Sequence, residues 1–194
     1  MIPDNKTKRQ KSLELIANDF ELTYRPLKRI NTEFLENFIY FKTKKVEHIF
    51  NQLSAKNDPC RLFDITFSEG EFIAKEVVRS TMLYIKTSQN VPVFTLDREG
   101  FLERLYVLAG YRDIDIKNHA DFSKRFYLRG ENTQEIRALF TDELVRFFES
   151  NAYYHIESSK DGLLVFSKER IASIKEIKAL LDFGVRLNAI INKP

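Results

Sequence analysis

The sequence of 194 residues has few of the residues from which many functional sites are built. Its one cysteine, Cys60, excludes an internal disulfide framework and a Cys-rich zinc site. No two of its six glycines lie within two residues of each other, which excludes G-x-G loops and the Walker A pattern. No apolar run approaches the roughly 20 residues of a membrane span, and no signal peptide is visible. We therefore expect a cytoplasmic chain without a transmembrane segment.

Positive charge is concentrated at the start of the chain. There are 31 Lys and Arg against 28 Asp and Glu, and residues 1–45 hold ten of these bases and six of the acids. Lys42, Lys44 and Lys45 lie beside aromatic residues, and we take them as candidates for contact with an anionic membrane surface. The rest of the chain is balanced in charge, which argues against an extended nucleic-acid track.

Hydrophobic periodicity predicts alternating helices and strands. We expect a helix over 7–20 and a short strand over 21–25. Strands over 61–67 and 76–86 should pair as an antiparallel hairpin or meander. Further on we expect a helix from Asp97 to Gly110, a strand over 125–128, a helix from Asn132 to Phe148, a hairpin over 153–168, and a helix opened by a Ser173–Glu176 capping box. Residues 46–53 fit a helix and a strand equally well. Phe38, Tyr40 and Phe41 are expected in the core.

These elements define one α+β domain over residues 1–194, with residues 1–45 as a basic N-terminal helix and strand arm. The predicted sheet is mainly antiparallel, and its helices pack on one face. The last 70 residues form a C-terminal strand-helix-hairpin-helix unit.

Alternation along two strands predicts which side chains face solvent. In the strand over 61–67, apolar residues alternate with Asp64, so we place Asp64 on the other face and outside the main core. A buried Asp64 would need a cationic or N–H partner. In the hairpin, His155 and Glu157 share one strand face, which we interpret as the solvent-facing one.

The densest group of potential ligands is Asp113, Asp115, His119 and Asp121. Carboxylate and imidazole groups bind Mg²⁺, Mn²⁺ or Zn²⁺, so these four residues are candidate metal ligands. Their spacing matches no defined metal motif, and Asp residues in connections commonly cap turns. Nucleophilic catalysis has no signature, because Cys60 follows a proline in a turn and no G-x-S-x-G elbow is present.

Several segments together carry a family resemblance. They are Leu62-Phe63-Asp64 opening a strand, residues 91–96 before a helix, Asp113-Ile114-Asp115 in a loop, and residues 121–130 running on into 136–141. The chain resembles a widespread family of uncharacterised bacterial proteins, many with predicted membrane helices ahead of the homologous region. The resemblance implies a strand around residues 51–53, and it implies no activity.

The first hypothesis is a non-enzymatic bacterial binding or scaffold module, either free in the cytoplasm or peripheral to a membrane. Its partner would be another protein or an anionic membrane surface, and we expect no cofactor. The alternative is a metal-dependent or acid–base enzyme that uses the Asp113–Asp121 cluster.

Overall fold

Eight strands of the described part of the chain form one antiparallel sheet. The computed structural model describes residues 6–26, 31–55, 60–70, 75–88, 90–98 and 113–193. The strands are β1 (Thr23–Arg25), β2 (Lys44–Ser54), β3 (Cys60–Glu69), β4 (Glu76–Lys86), β5 (Phe94–Asp97), β6 (Tyr127–Gly130), β7 (His155–Ser159) and β8 (Gly162–Phe166). Their order is β1-β2-β3-β4-β8-β7-β5-β6, and each neighbouring pair is antiparallel. The predicted α+β class is confirmed.

Most of the helices pack on one face of the sheet, which we call the helix face. The helices are α1 (Lys8–Asp19), α2 (Glu33–Glu36), α3 (Ala120–Arg125), α4 (Thr133–Leu139), α5 (Asp142–Ser150) and α6 (Ile174–Ile191). All except α2 contribute to the larger apolar cluster, which includes Leu13, Ile16, Leu62, Leu83, Leu96, Phe122, Leu128, Ile136, Leu144, Ile156, Ile177 and Leu187. The Ser173–Glu176 capping box is present at the start of α6, as predicted. Gly184 lets α6 approach β4 closely, because a Cβ there would lie 2.3 Å from Leu83.

The opposite face, which we call the aromatic face, carries a smaller apolar cluster under α2 and a 3-10 helix, Ile39–Phe41. Phe38 and Tyr40 are at most 1% exposed, and the Tyr40 ring lies 5.7 Å from that of Phe67 and 4.8 Å from that of Phe166. The expectation that these aromatic residues belong to the core is confirmed. The first 45 residues thus supply cover to both faces of the sheet.

Three local predictions differ from the structure. The helix expected from Asn132 to Phe148 is two helices, because α4 ends at Leu139 and the Thr141 hydroxyl caps α5 by accepting from the Leu144 N–H. The segment over 125–128 divides between the end of α3 and the start of β6. Asp97 ends β5, and the rest of the helix predicted to Gly110 lies outside the described residues.

The structure decides between helix and strand for residues 46–53, and it corrects the position of Cys60. Residues 46–53 lie within β2, as the family resemblance favoured. Cys60 is not in a turn but begins β3, where its thiol is buried.

The strand register of Asp64 is as predicted, but its burial is not. Asp64 lies on the helix face opposite Phe63, and it is only 1% exposed. The prediction that it lies outside the core is wrong, because Arg9 of α1 supplies the cationic partner. The Arg9 guanidinium donates through Nε to Oδ2 and through Nη2 to Oδ1, each at 2.8 Å.

The Arg9–Asp64 pair also joins elements that are distant in the chain. The Thr81 hydroxyl of β4 donates to Asp64 Oδ1 at 2.6 Å, and the Asn51 amide of β2 donates to Oδ2 at 2.9 Å. Arg9 Nη1 donates to the Ala172 carbonyl, two residues before α6, at 2.7 Å. The buried Asp64 carboxylate and its partner Arg9 therefore connect α1, three adjacent strands and the start of α6.

The first prediction tests the core of the helix face. Phe147 of α5 is 8% exposed, and its ring lies 4.9 Å from that of Phe183 in α6. We expect Phe147→Ala to lower the free energy of unfolding by about 3–5 kcal/mol, through lost apolar burial and a cavity. Leu15→Ala is the control, because Leu15 is 65% exposed, and its effect should stay below about 0.5 kcal/mol. Urea denaturation measures both, and a loss below about 1 kcal/mol in Phe147→Ala would contradict the packing.

The second prediction tests the Arg9–Asp64 pair. Removing one partner leaves a buried charge without compensation, so Arg9→Met should cost about 3 kcal/mol in urea denaturation. Lys8→Met changes the exposed neighbouring residue of the same helix and should cost less than about 0.5 kcal/mol. Equal stability of the two variants would show that the pair does not hold α1 in place.

Candidate functional site

A groove of about 650 Å³ opens beside the N-terminal half of α6, and we call it the α6 groove. Thr81 lies among its lining residues and is almost fully buried. Apolar side chains line the groove together with a basic group. The apolar lining includes Ala152, Tyr153, Tyr154, Ala172, Ala179 and Leu180, and the basic residues are Lys168, Arg170 and Lys175. The groove is a shaped concave surface of the size that small ligands occupy.

The charges of the α6 groove are only partly neutralised. Arg170 forms a bidentate ion pair with Glu176. Hydrogen bonds from Arg170 and from the Ser173 backbone N–H lower the pKa of Glu176 to about 2. Lys168 and Lys175 have no ion-pair partner among the residues that the structure describes. The groove therefore keeps an excess of positive charge.

A second open surface lies on the helix face of the sheet, where the start of β2, the end of β3 and the start of β4 lie side by side. We call it the open sheet face, and it consists of Lys45, His48, Phe50, Val77 and Arg79. Val77 is 54% exposed, and neither it nor Phe50 belongs to the two apolar clusters. A shallow cavity of about 250 Å³ lies between His48, Phe50, Thr66 and Arg79.

Bases without acidic partners flank the apolar part of the open sheet face. Lys45 and Arg79 are both exposed, and neither has an ion-pair partner within the described part of the chain. The nearby Glu47 carboxylate bonds to Lys75, and this bond lowers the pKa of Glu47. The open sheet face is thus basic and apolar together.

The three candidate surface lysines have different environments. Lys42 is exposed and donates to the Glu36 carbonyl at 2.8 Å. The Lys44 side chain is only 4% exposed, because it pairs with Glu69 at 2.8 Å and lies over the Tyr40 ring. Lys44 is therefore not available to an external surface, which corrects its place among the candidates. Of the three, Lys45 alone belongs to the open sheet face.

Asp113, the first residue of the candidate metal cluster, has a structural partner at the edge of the sheet. One carboxylate oxygen accepts from the Leu128 N–H at 2.9 Å and from the Ile114 N–H at 3.1 Å. The Leu128 carbonyl in turn accepts from the Ile114 N–H at 2.7 Å. Burial raises the pKa of Asp113 in spite of these hydrogen bonds. The segment thus covers the outer edge of β6, where unpaired backbone groups would otherwise attract another strand.

The other three residues of the cluster do not converge with Asp113. His119 contacts Asp142 of α5 at 2.9 Å, which lowers the pKa of Asp142. Asp121 is exposed and lies 3.7 Å from Lys124, and the Asp115 side chain is also exposed. Within the described ranges, no three His, Cys, Asp or Glu side chains are placed to hold a metal ion. The structure therefore adds no support to the metal hypothesis.

A buried charged cluster that the sequence did not predict lies on the aromatic face. His155 of β7 bonds through Nδ1 to Asp97 of β5, and its Nε2 lies 3.9 Å from Glu157. Glu157 accepts from the backbone N–H groups of Ile39 and Tyr40. The interpretation of this strand face as solvent-facing is wrong, because the 3-10 helix packs over it.

Charge balance inside this cluster changes the protonation of His155. Burial alone would lower the pKa of His155, but the adjacent Asp97 carboxylate, together with Glu157, outweighs burial and raises the pKa to about 9. His155 is therefore a cation between two carboxylates at neutral pH. All three side chains are at most 1% exposed, so they act on the fold and do not meet a ligand from solvent.

Signals for this cluster in the sequence were weak. The alternation correctly places His155 and Glu157 on one strand face, but the sequence predicts a helix from Asp97 to Gly110, where the structure has Asp97 at the end of β5. The aromatic segment that covers them is more than 110 residues away in the chain, with a separation of 117 between Tyr40 and Glu157. No local pattern reports a contact of that range.

Comparison with known proteins defines the fold but not a family. No protein-family model matches the chain, and no curated protein matches it. The crystal structure of the mycobacterial trehalose monomycolate transport factor A is similar, with a TM-score of 0.59 at 10% sequence identity. The similarity covers 97% of this chain and 98% of that one. At that identity it supports a shared α+β architecture. None of the helices described here has the length and apolar character needed to cross a bilayer.

The third prediction concerns pH. Because the pKa of His155 rises from an ordinary 6.5 to about 9 on folding, its stabilising effect is complete below pH 6.5 and is lost as the pH rises through 9. The free energy of unfolding should therefore fall by roughly 3 kcal/mol over that range. Urea denaturation at a series of pH values measures this decrease.

His155→Gln is the informative variant, since glutamine does not titrate and the decrease should disappear. His48→Gln, at an exposed histidine of the open sheet face, is the control and should keep the wild-type profile. An unchanged pH profile in His155→Gln would contradict a cationic His155.

Proposed function

We propose that this chain is a non-enzymatic binding module that works peripherally at an anionic membrane surface on the cytoplasmic side. The observation that carries the proposal is the open sheet face, where Lys45 and Arg79 flank the apolar side chains of Phe50 and Val77. Bases attract anionic headgroups, and exposed apolar side chains add affinity at the interface. Phe50 and Val77 lie outside both apolar clusters, so contact of the open sheet face with a membrane requires no unfolding.

The environment of the reactive side chains supports a binding role over catalysis. Asp113 is occupied by two backbone N–H groups, and His119 is paired with Asp142. His155 is fully enclosed between Asp97 and Glu157. These groups serve the structure, whereas the open surfaces are basic and apolar.

Two further observations agree with a peripheral membrane role. The structurally similar mycobacterial protein is by name a transport factor for trehalose monomycolate. The resemblance drawn from the sequence, to a bacterial family with predicted membrane helices ahead of the homologous region in many members, implies the same expectation. We extend to this chain only the general expectation of work beside a membrane, and the alternative partner is a protein.

The fourth prediction tests the membrane surface directly. The protein should float with phosphatidylserine-rich vesicles at low salt and not with phosphatidylcholine vesicles. Binding should weaken steeply with added salt, because the Debye length falls from about 10 Å at 0.1 M to about 3 Å at 1 M. The double variant Lys45→Gln/Arg79→Gln should bind roughly thirtyfold more weakly, from about 1 kcal/mol for each base near the surface.

The matched control is Lys117→Gln/Arg146→Gln, which removes the same charges from exposed positions elsewhere. It should bind nearly as the wild type does. Equal weakening of the two double variants would contradict the open sheet face as the contact surface. No flotation at low salt would remove the membrane proposal and leave a protein partner.

A further inference from the structure

We propose that the α6 groove binds an anionic amphiphile, a molecule with one alkyl chain and a terminal carboxylate. The residues that line this groove are not those of the open sheet face, so the proposal goes beyond the membrane contact and can fail independently of it. It is argued from the shape of the groove, from the state of its polar groups and from the position of its free charges.

The shape of the groove leaves room for an apolar chain. Ala152 and Ala179 are small and exposed, and they line a volume of about 650 Å³. Tyr154 is half-buried, and its ring is held at 4.6 Å from that of Phe183. Leu180 adds an aliphatic surface. Known pockets for small molecules have volumes in this range and mostly apolar walls.

The hydroxyl groups of Thr81 and Tyr153, which line the groove, already have partners. The Thr81 hydroxyl donates to Asp64 and accepts from the Ala172 N–H at 2.9 Å. The Tyr153 hydroxyl accepts from Arg125 Nε at 2.7 Å. A peptide would bring backbone N–H and C=O groups that find few partners here, and unpaired buried polar groups are costly. An alkyl chain brings none.

The free charges of the groove are positive. Arg170 and Glu176 neutralise each other, and Glu176 also takes part in the capping box of α6 by accepting from the Ser173 N–H. Lys168 and Lys175 are exposed and have no ion-pair partner among the described residues. Charge complementarity therefore favours a ligand with one anionic end over a neutral or cationic one.

Isothermal titration calorimetry with dodecanoate, below its micelle concentration, is the fifth test. We expect saturable binding of one molecule per chain, with amide NMR shifts at residues 152–154 and 175–180. Neutral dodecyl maltoside and cationic dodecyltrimethylammonium should bind much more weakly. Comparable binding of the neutral surfactant would overturn the role of charge, and binding at many sites would overturn the groove itself.

Variants separate charge from shape. Lys168→Gln/Lys175→Gln should weaken dodecanoate binding about tenfold. Ala179→Phe fills the groove without changing charge and should abolish binding, while Ala138→Phe on the exposed surface of α4 should not. Circular dichroism checks the fold of each variant. Wild-type affinity in Ala179→Phe would overturn the proposal, whereas Lys45→Gln/Arg79→Gln should bind dodecanoate normally whatever its behaviour on vesicles.

Discussion

The bidentate ion pair between Arg9 and Asp64 is the constraint on which the arrangement of the helix face depends. A carboxylate buried to 1% exposure is strongly destabilising unless charged and polar donors surround it. Asp64 receives Arg9, Thr81 and Asn51, and each of these belongs to a different element. The position of α1 is therefore set by a polar contact as well as by its apolar stripe. Arg9 fixes α1 beside Asp64 and Thr81. The start of β2, the end of β3 and the start of β4 lie beyond this contact and form the open sheet face.

The aromatic face has a polar centre of its own. Glu157 accepts from the backbone of the 3-10 helix Ile39–Phe41, and it lies beside a cationic His155 that Asp97 holds in place. Apolar packing is non-directional, so aromatic rings alone would allow this segment several positions. Hydrogen bonds to its N–H groups select one of them. Each face of the sheet thus combines an apolar cluster with a buried acid, Asp64 or Glu157, whose hydrogen bonds specify where the covering segment lies.

The candidate reactive groups already have partners within the fold, whereas several bases at the surface have no acidic partner in the described part of the chain. Both features support the same interpretation. Asp113 is bonded to backbone N–H groups, His119 to Asp142, and His155 to Asp97. Lys168 and Lys175 at the α6 groove, and Lys45 and Arg79 on the open sheet face, have apolar neighbours but no acidic partners among the described residues. Such surfaces favour anionic, partly apolar ligands. The proposals for a membrane surface and for an amphiphile use this one property at two different places.

Local patterns in the sequence predicted several elements and strand faces correctly, although they missed the break between α4 and α5 and the position of Asp97 in β5. The period of two in β3, the Ser173–Glu176 box and the hairpin turn before Gly162 depend on neighbouring residues only, so they could be predicted without tertiary information. Tertiary structure alone decided which of those faces are buried. Asp64 is predicted outside the core and Lys44 at a surface that contacts a membrane. Each side chain is instead enclosed because a partner distant in the sequence packs against it, Arg9 for Asp64 and Glu69 for Lys44. His155 follows the same rule, since its partner Asp97 is 58 residues away. Burial of a charge depends on whether a compensating group arrives from another element, and periodicity contains no information about that.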